Sequence, residues 1–293
     1  MTIVPAQISD FTDIEKIFAD CFSSEAFMYP IKRATHLFVA KEGQKIVGAG
    51  GLFISSLHAK IPKAAIAVES NYRRKGLGRK IHQTILQSNP EIPLGIDGSC
   101  YQTDSLALSF ISEIGYEPYL NCLIPVVDLS AEFPVFEKPK NLKLLSFNEA
   151  ALSGVKETAI LHYLVNKYCA THSWSPVTIP QDSPDWEEIA FWGIDRDLSL
   201  VGLIDGMIVA ASTASVDGET LQLQWPFATA DGVVGETALL MSLLERQFKT
   251  AKERGLLKTT FECDSTEEAM FNIPEKFKIL DSKTWRRFRF RTS

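Results

Sequence analysis

The stretch IAVESNYRRKGLGRKIHQTILQ, from Ile66 to Gln87, decides how the chain is read. Ile66-Ala67-Val68 is an apolar strand end, a polar turn and a glycine-spaced loop follow, and Leu77, Ile81 and Ile85 then recur as the apolar stripe of a helix. Arg73, Arg74, Lys75, Arg79 and Lys80 crowd the start of that helix, the end that carries partial positive charge. Each misplaced cation forgoes about 0.3–1 kcal/mol of favourable dipole interaction. A bound anion reverses the sign. Gly76 and Gly78 lack side chains, so backbone N–H groups at the helix start can approach phosphate oxygens closely. The stretch predicts a strand–loop–helix pocket for a polyphosphate.

The pattern Val68-x-x-x-Tyr72-Arg73-x-x-Gly76-Leu77-Gly78 resembles the acyl-CoA signature of the GNAT N-acetyltransferase superfamily, Arg/Gln-x-x-Gly-x-Gly/Ala. The resemblance implies that the loop amides of Gly76, Leu77 and Gly78 hold the CoA pyrophosphate and that Arg73, Arg74, Lys75 and Arg79 offset its charge. It implies further that the strand Ile66, Ala67, Val68 bonds the pantetheine arm and turns an N–H toward the thioester carbonyl. A second segment, Asp104-x-x-Ala107-Leu108-x-Phe110-Ile111-x-x-x-Gly115-Tyr116, is similar to the superfamily's Asn-x-x-Ala-x-x-hydrophobic-Tyr-x-x-x-Gly-Phe. Asp104 stands where an asparagine contacts CoA. Ile111 replaces the tyrosine proposed there as the acid for the departing thiolate, and isoleucine cannot donate a proton.

Upstream, Thr2–Gln7 is a strand, and a helix capped by Ser9 or Asp10 presents Phe11, Ile14, Ile17, Phe18 and Phe22. Residues 23–33 form a second short helix or a loop. His36–Lys41 and Lys45–His58 are strands around a Glu42-Gly43-Gln44 turn. Gly48, Gly50 and Gly51 within the second call for a bulge or a close neighbour. Pro62–Val68 delivers the chain into the basic loop. Downstream, Leu94–Cys100 and Tyr119–Leu129 are strands.

Pro125, Pro134 and Pro139 mark a linker, and the order of elements then repeats. Leu142–Leu145 is a strand, Glu149–Tyr168 is helical, Leu200–Val209 and Thr220–Trp225 are strands, Gly235–Arg254 is an amphipathic helix and Thr259–Glu262 a strand. The place equivalent to the basic loop, Ala230–Glu236, carries Asp231 and Glu236, which suit a bare helix N-terminus and repel a pyrophosphate. In the terminal stretch 285–291, Phe288 and Phe290 alternate with Arg287, Arg289 and Arg291. The ordinary reading of those arginines is a solvated strand face; an anion or nucleic-acid surface is the other.

The expected fold class is therefore α/β (α+β), with two GNAT-like domains, each a mixed, mostly antiparallel twisted sheet flanked by helices. The boundaries are 1–130 for the acyl-CoA-binding domain, 131–140 for the linker and 141–293 for a degenerate copy. In 293 residues, 45% hydrophobic and 23% charged content indicates a soluble globular chain rather than a disordered one. The net charge of −6 disfavours a general nucleic-acid binder. Cys21, Cys100, Cys122, Cys169 and Cys263 offer neither a disulfide framework nor a zinc spacing, which suits a reducing cytoplasm. Neither a secretory signal nor a membrane-length apolar run is present in the sequence, so no membrane association is expected.

The expected activity is direct transfer of an acetyl group from acetyl-CoA to the amine of a small molecule or a protein, without metal, by a monomer or homodimer. A CoA-binding regulatory or scaffold protein without turnover is the alternative. The acceptor amine must lose a proton; Glu69, directly after the cofactor strand, is the first candidate base, with Glu25 and His58 behind it. His82 is expected on the exposed helix face. Cys100 is expected to be a buried hydrophobe rather than a nucleophile.

Overall fold

The computed structural model describes residues 1–22, 28–88, 94–134, 136, 138–230 and 235–291. The first half runs β1 (Thr2–Pro5), α1 (Phe11–Phe22), β2 (Ala34–Glu42), β3 (Lys45–Phe53), β4 (Lys63–Val68), α2 (Leu77–Ser88), β5 (Ile96–Tyr101), α3 (Ser105–Glu113) and β6 (Glu117–Asp128). The second half begins with β7 (Lys143–Ser146), α4 (Phe147–Leu152), α5 (Glu157–Thr171), α6 (Asp185–Phe191), β8 (Leu200–Ile204) and β9 (Met207–Asp217). It ends with β10 (Thr220–Ala228), α7 (Glu236–Glu253), β11 (Lys258–Thr260), β12 (Cys263–Asp264), α8 (Glu268–Phe271) and β13 (Ile279–Phe290).

All these strands join one mixed, mostly antiparallel sheet in the order β1-β2-β3-β4-β5-β13-β6-β11-β10-β9-β8-β7, with β12 also on β6. The terminal strand thus leaves its own half. β13 lies antiparallel between β5, from Trp285↔Tyr101 to Phe290↔Ile96, and β6, from Ile279↔Val127 to Arg289↔Glu117. In return β6 reaches into the second half, pairing Val126, Val127 and Asp128 with β11. The strand predicted at 285–291 therefore begins at Ile279, and the sheet runs on from one half to the other through β13, β6 and β11, while the described residues of 131–140 contribute no strand to it.

Helices cover both faces. On one, Ile14, Ile17 and Phe18 of α1 pack on Ala65 and Ala67 of β4. On the other, Leu77, Ile81 and Ile85 of α2 pack with Ile96 of β5 and Phe288 of β13, and Ile66 and Val68 lean on the same cluster. Gly48 and Gly50 of β3 have their close neighbour here, whereas Gly51 lies against Leu37. A Cβ on Gly50 would stand 2.7 Å from Ile81 Cγ2 and 3.0 Å from Ile66 Cγ1, so the bare backbone lets α2 lie against the sheet.

Two expectations about the second half need correction. The helix expected over Glu149–Tyr168 is broken into α4 and α5, with Gly154 at φ +81° between them. The strand expected over Leu200–Val209 is a hairpin turned by Asp205 and Gly206, with φ of +50° and +81°.

Candidate functional site

β4 and β5 run parallel, yet only one pair, Lys63↔Asp97, is in register, fastened by the Asp97 N–H to the Pro62 carbonyl at 2.9 Å. Beyond it the strands diverge. β5 is held away by β13, and β4 stays with β3, where the Glu69 N–H donates to the Val47 carbonyl at 3.0 Å. Antiparallel strands alternate the direction of their backbone groups. Since Glu69 faces β3, Ala67 also does, while Ile66 and Val68 turn their N–H and C=O groups into the gap. Of the predicted strand residues, then, Ile66 and Val68 offer backbone to a ligand and Ala67 does not. The Val68 carbonyl accepts from Arg73 Nε at 2.8 Å and from the Cys21 thiol at 3.6 Å.

The basic turn stands at the open end of this gap. A short 3-10 turn, Ser70–Tyr72, leads from β4 to Arg73; Arg74 and Gly76 have left-handed φ of +59° and +76°, and α2 starts at Leu77. Gly76 is required by that φ, whereas Gly78 is required by space, because a Cβ there would press at 3.1 Å on the Phe110 ring. Arg73, Arg74, Lys75, Arg79 and Lys80 are all exposed, and no acidic residue lies in the first turn of α2. Arg79 meets Glu113 at 3.4 Å; among the described residues, Arg73, Arg74, Lys75 and Lys80 have no carboxylate within 4.0 Å. Lys75 and Lys45 each lie 5.4 Å from the centre of the Tyr72 ring, whose hydroxyl donates to Glu42 at 2.5 Å. Unpaired cations beside free helix amides suit a polyphosphate, and the unbonded strand edge beside them suits an amide-bearing chain such as pantetheine.

The remaining candidates scatter. Glu69 sits at the β4 exit, but its Oε2 is taken by the Lys45 ammonium at 2.6 Å. Asp104 Oδ1 accepts the Ala107 N–H at 2.9 Å and caps α3. Ile111 packs with the α2 core cluster. The Cys100 thiol is buried, and burial pushes its pKa up to about 11, which suits a core side chain. His82 is a correction: it is buried rather than exposed, with Nε2 3.2 Å from the Tyr116 hydroxyl and its ring edge-on to Phe290, and burial lowers its pKa to about 4. Glu25 and Asp231 lie outside the described residues.

The terminal arginines are the second correction. Arg287 and Arg289 face a cleft rather than solvent, whereas Arg291 is exposed as expected. Arg289 grips Asp97 through Nε–Oδ1 at 2.8 Å and Nη2–Oδ2 at 3.2 Å and lies over Tyr119; Arg287 lies over Trp174 with 5.1 Å to the ring centre. Trp174 belongs to a segment of the second half that closes over the loop after β3. There His58 bonds the Ser175 carbonyl at 2.7 Å and the Tyr168 hydroxyl at 2.9 Å, and the Thr178 N–H donates to the Leu57 carbonyl at 2.8 Å. His172 stacks on Tyr168 at 3.9 Å, and burial lowers its pKa to about 4. Lys63, Trp174, Tyr168 and His172 escape a reading by sequence. The alternation of arginines in 285–291 was the visible signal, but its partners come from four separate segments.

In the second half, β10 and β11 also pair in parallel, from Thr220↔Lys258 to Gln222↔Thr260, before diverging. Past that point β10 bulges, and Trp225 at φ +51° stacks on Tyr168 at 4.7 Å and meets Trp186 edge-on. Glu236 of the first α7 turn is paired with Lys167 at 3.7 Å.

Among known proteins, residues 33–118 match the acetyltransferase (GNAT) domain family. A search of curated sequences finds no match. The whole chain superposes on solved structures of low identity. A GCN5-related N-acetyltransferase from Sphaerobacter thermophilus is 14% identical with a TM-score of 0.66, over 100% of this chain and 96% of that one. A tandem GNAT protein from the clavulanic acid biosynthesis pathway is 11% identical with a TM-score of 0.57, over 100% and 99%. The glucosamine N-acetyltransferase region of a fungal multi-domain β-N-acetylglucosaminidase is 14% identical with a TM-score of 0.65, over 99% of this chain and 38% of that one. No described helix is long and apolar enough to cross a membrane. Residues 33–118 therefore match the acetyltransferase (GNAT) domain family, within a chain whose full-length fold is similar to that of a tandem GNAT protein.

Proposed function

We propose that the chain transfers an acetyl group from acetyl-CoA to an amine, directly and within a ternary complex, at the gap between β4 and β5 of the first half. The observation that carries this reading is the gap itself, open at the end where Arg73, Arg74, Lys75 and Gly76 surround the start of α2. The pyrophosphate would lie on the amides of Gly76, Leu77 and Gly78, with Arg73, Arg74, Lys75 and Arg79 offsetting its charge. The pantetheine arm would extend the sheet along Ile66 and Val68. The Ile66 N–H is the donor best placed for charge developing on the thioester oxygen. The thiolate would leave without help from residue 111; an ordinary thiol pKa near ~8.5 makes that a modest demand.

The second half is proposed to be a degenerate copy that binds no CoA. Support comes from Trp225 and Tyr168 packed beside its own strand divergence and from Glu236 at its helix start. The reading as a CoA-binding protein without turnover keeps one observation in its favour: Glu69, the first candidate base, is held by Lys45. Calorimetry with acetyl-CoA and release of free thiol across a panel of amines separate the two. Binding with no thiol release from any amine leaves the regulatory role. No binding of CoA or acetyl-CoA ends both.

A further inference from the structure

The sheet face that carries α1 holds charges that the acetyl-donor site does not use. Ala65 and Ala67 pack toward α1, so alternation puts Lys63 on that face too. Ile96, Cys100, Phe288 and Phe290 pack toward α2, which leaves Asp97, Arg287 and Arg289 on the α1 side, in the register Arg287↔Ser99 and Arg289↔Asp97. The face lies at the closed end of the β4–β5 gap, since Lys63↔Asp97 is the pair from which those strands diverge. Trp174 roofs it from the second half.

Its polar groups are not all paired by hydrogen bonds. Asp97 is saturated by Arg289 and the Tyr119 hydroxyl, the latter at 2.7 Å. Lys63 and Arg287 are half-buried, and among the described residues neither has a carboxylate within 4.0 Å or a hydrogen bond; Arg287 has only the Trp174 ring. The Trp174 Nε1 atom is buried with no acceptor, and Asp264 Oδ1 is buried with no donor. Burial, then the neighbouring Arg287 charge, lowers the Lys63 pKa to about 8. The two cations and the indole N–H make no hydrogen bond to an acceptor; the carboxylates of Asp264 and Glu262 act on Arg287 only through space, and desolvated cations held this way are costly. Lys63, Arg287 and Arg289 are opposed by Asp97, Asp264 and Glu262. The cleft thus has no net charge, which disfavours a phosphate dianion, and a single carboxylate is the anion that the two unbonded cations can hold.

We propose that the acceptor amine carries a carboxylate, that Arg287 and Lys63 bind this carboxylate on the α1 face, and that the amine thereby reaches the gap between β4 and β5. This rests on the acetyl-transfer reading above. Arg287 supplies a planar fork matched to a carboxylate and is held in orientation by Trp174.

The test uses matched pairs: phenylalanine and phenethylamine, tyrosine and tyramine, histidine and histamine, lysine and cadaverine, with glucosamine 6-phosphate and glucosamine as the phosphate arm. Binding to the CoA-loaded protein is measured by calorimetry and turnover by thiol release. A carboxylated member should bind and turn over in preference to its partner. Arg287→Gln should raise its Kd and KM roughly tenfold to a hundredfold, the loss expected for a hydrogen bond to a charged group, and Lys63→Met should act in the same direction. CoA affinity should not change, which also shows that the variants are folded, and Arg287→Lys should restore part of the loss. Equal or better use of the decarboxylated partners, preference for the phosphate, or no binding of any carboxylated member overturns the proposal while CoA binding persists. Loss of CoA binding by the unmodified protein overturns the donor reading instead.

Discussion

Arg289, on the last strand of the chain, holds Asp97 of β5 through two hydrogen bonds of 2.8 and 3.2 Å, with the two side chains 17% and 7% exposed. The partners stand 192 residues apart in sequence, and the pair sits where β4 and β5 part. Removing one partner of so buried a pair leaves an uncompensated charge, which costs about 3–5 kcal/mol. Asp97→Asn should therefore destabilise the protein by roughly that amount in urea unfolding. Asp97→Leu combined with Arg289→Met should cost clearly less than Asp97→Asn alone. A single substitution within about 0.5 kcal/mol of neutral, as for an ordinary surface change, would show that the pair is not holding the strand.

The position of β13 makes the first half incomplete by itself. Without it, β5 and β6 lose the strand between them, and Phe288 leaves the core it shares with Ile81 and Ile96. Residues 1–130 expressed alone should give no cooperative thermal transition and should aggregate through the bared edges. Adding a peptide of residues 279–291 should restore order to some of the population. A cooperative transition from 1–130 by itself would mean that the exchanged strand is dispensable.

How far the sequence discloses this arrangement depends on the range of the interactions. The Arg73–Gly78 turn, the α2 stripe and the β4 exit are contiguous, so their local pattern is enough. The hairpin at Asp205-Gly206 has a local signal, the dipeptide that a tight primed turn favours, but the apolar run on both sides of it reads as one strand. The destination of β13 was not legible: alternation fixes which of its residues share a face, not which strands flank it. His82 is not legible either: a polar residue on an amphipathic helix reads as solvated, whereas Tyr116, just before β6, and Phe290 of β13 enclose it. For the same reason nothing local in the sequence joins Arg287 to Lys63 and Trp174, which come from separate segments.

His82 and His172 give the fold a defined acid limit. Burial holds both near a pKa of about 4, against about 6.5 in the unfolded chain. As pH falls, the unfolded histidines take up protons first and the folded ones stay neutral, so protons drive unfolding. Stability is full above about pH 6.5 and is lost progressively toward pH 4, by on the order of 2–3 kcal/mol per histidine. The slope of unfolding free energy against pH in that window should drop in His82→Gln, where Tyr116 keeps a partner. An unchanged slope would assign the acid sensitivity to other groups.

Gly50 ties the stability of the sheet to the position of the basic turn. Its missing Cβ makes room for Ile81, one helical turn past Leu77, so α2 and the Gly76–Gly78 amides sit at a depth set by β3. Gly50→Ala would push on Ile81 Cγ2, a branched methyl with little freedom to move aside. Overpacking of this kind costs about 1–3 kcal/mol, and the strain can be relieved only by lifting α2 away from the sheet. The substitution should therefore lower the melting temperature and weaken CoA binding together, although residue 50 touches no ligand. Gly43→Ala, at a turn with no atom within 4 Å of the added carbon, should strain the backbone at φ +60° yet leave CoA affinity as it was. Equal effects of the two alanines on calorimetric CoA affinity would break the link between helix depth and the binding turn.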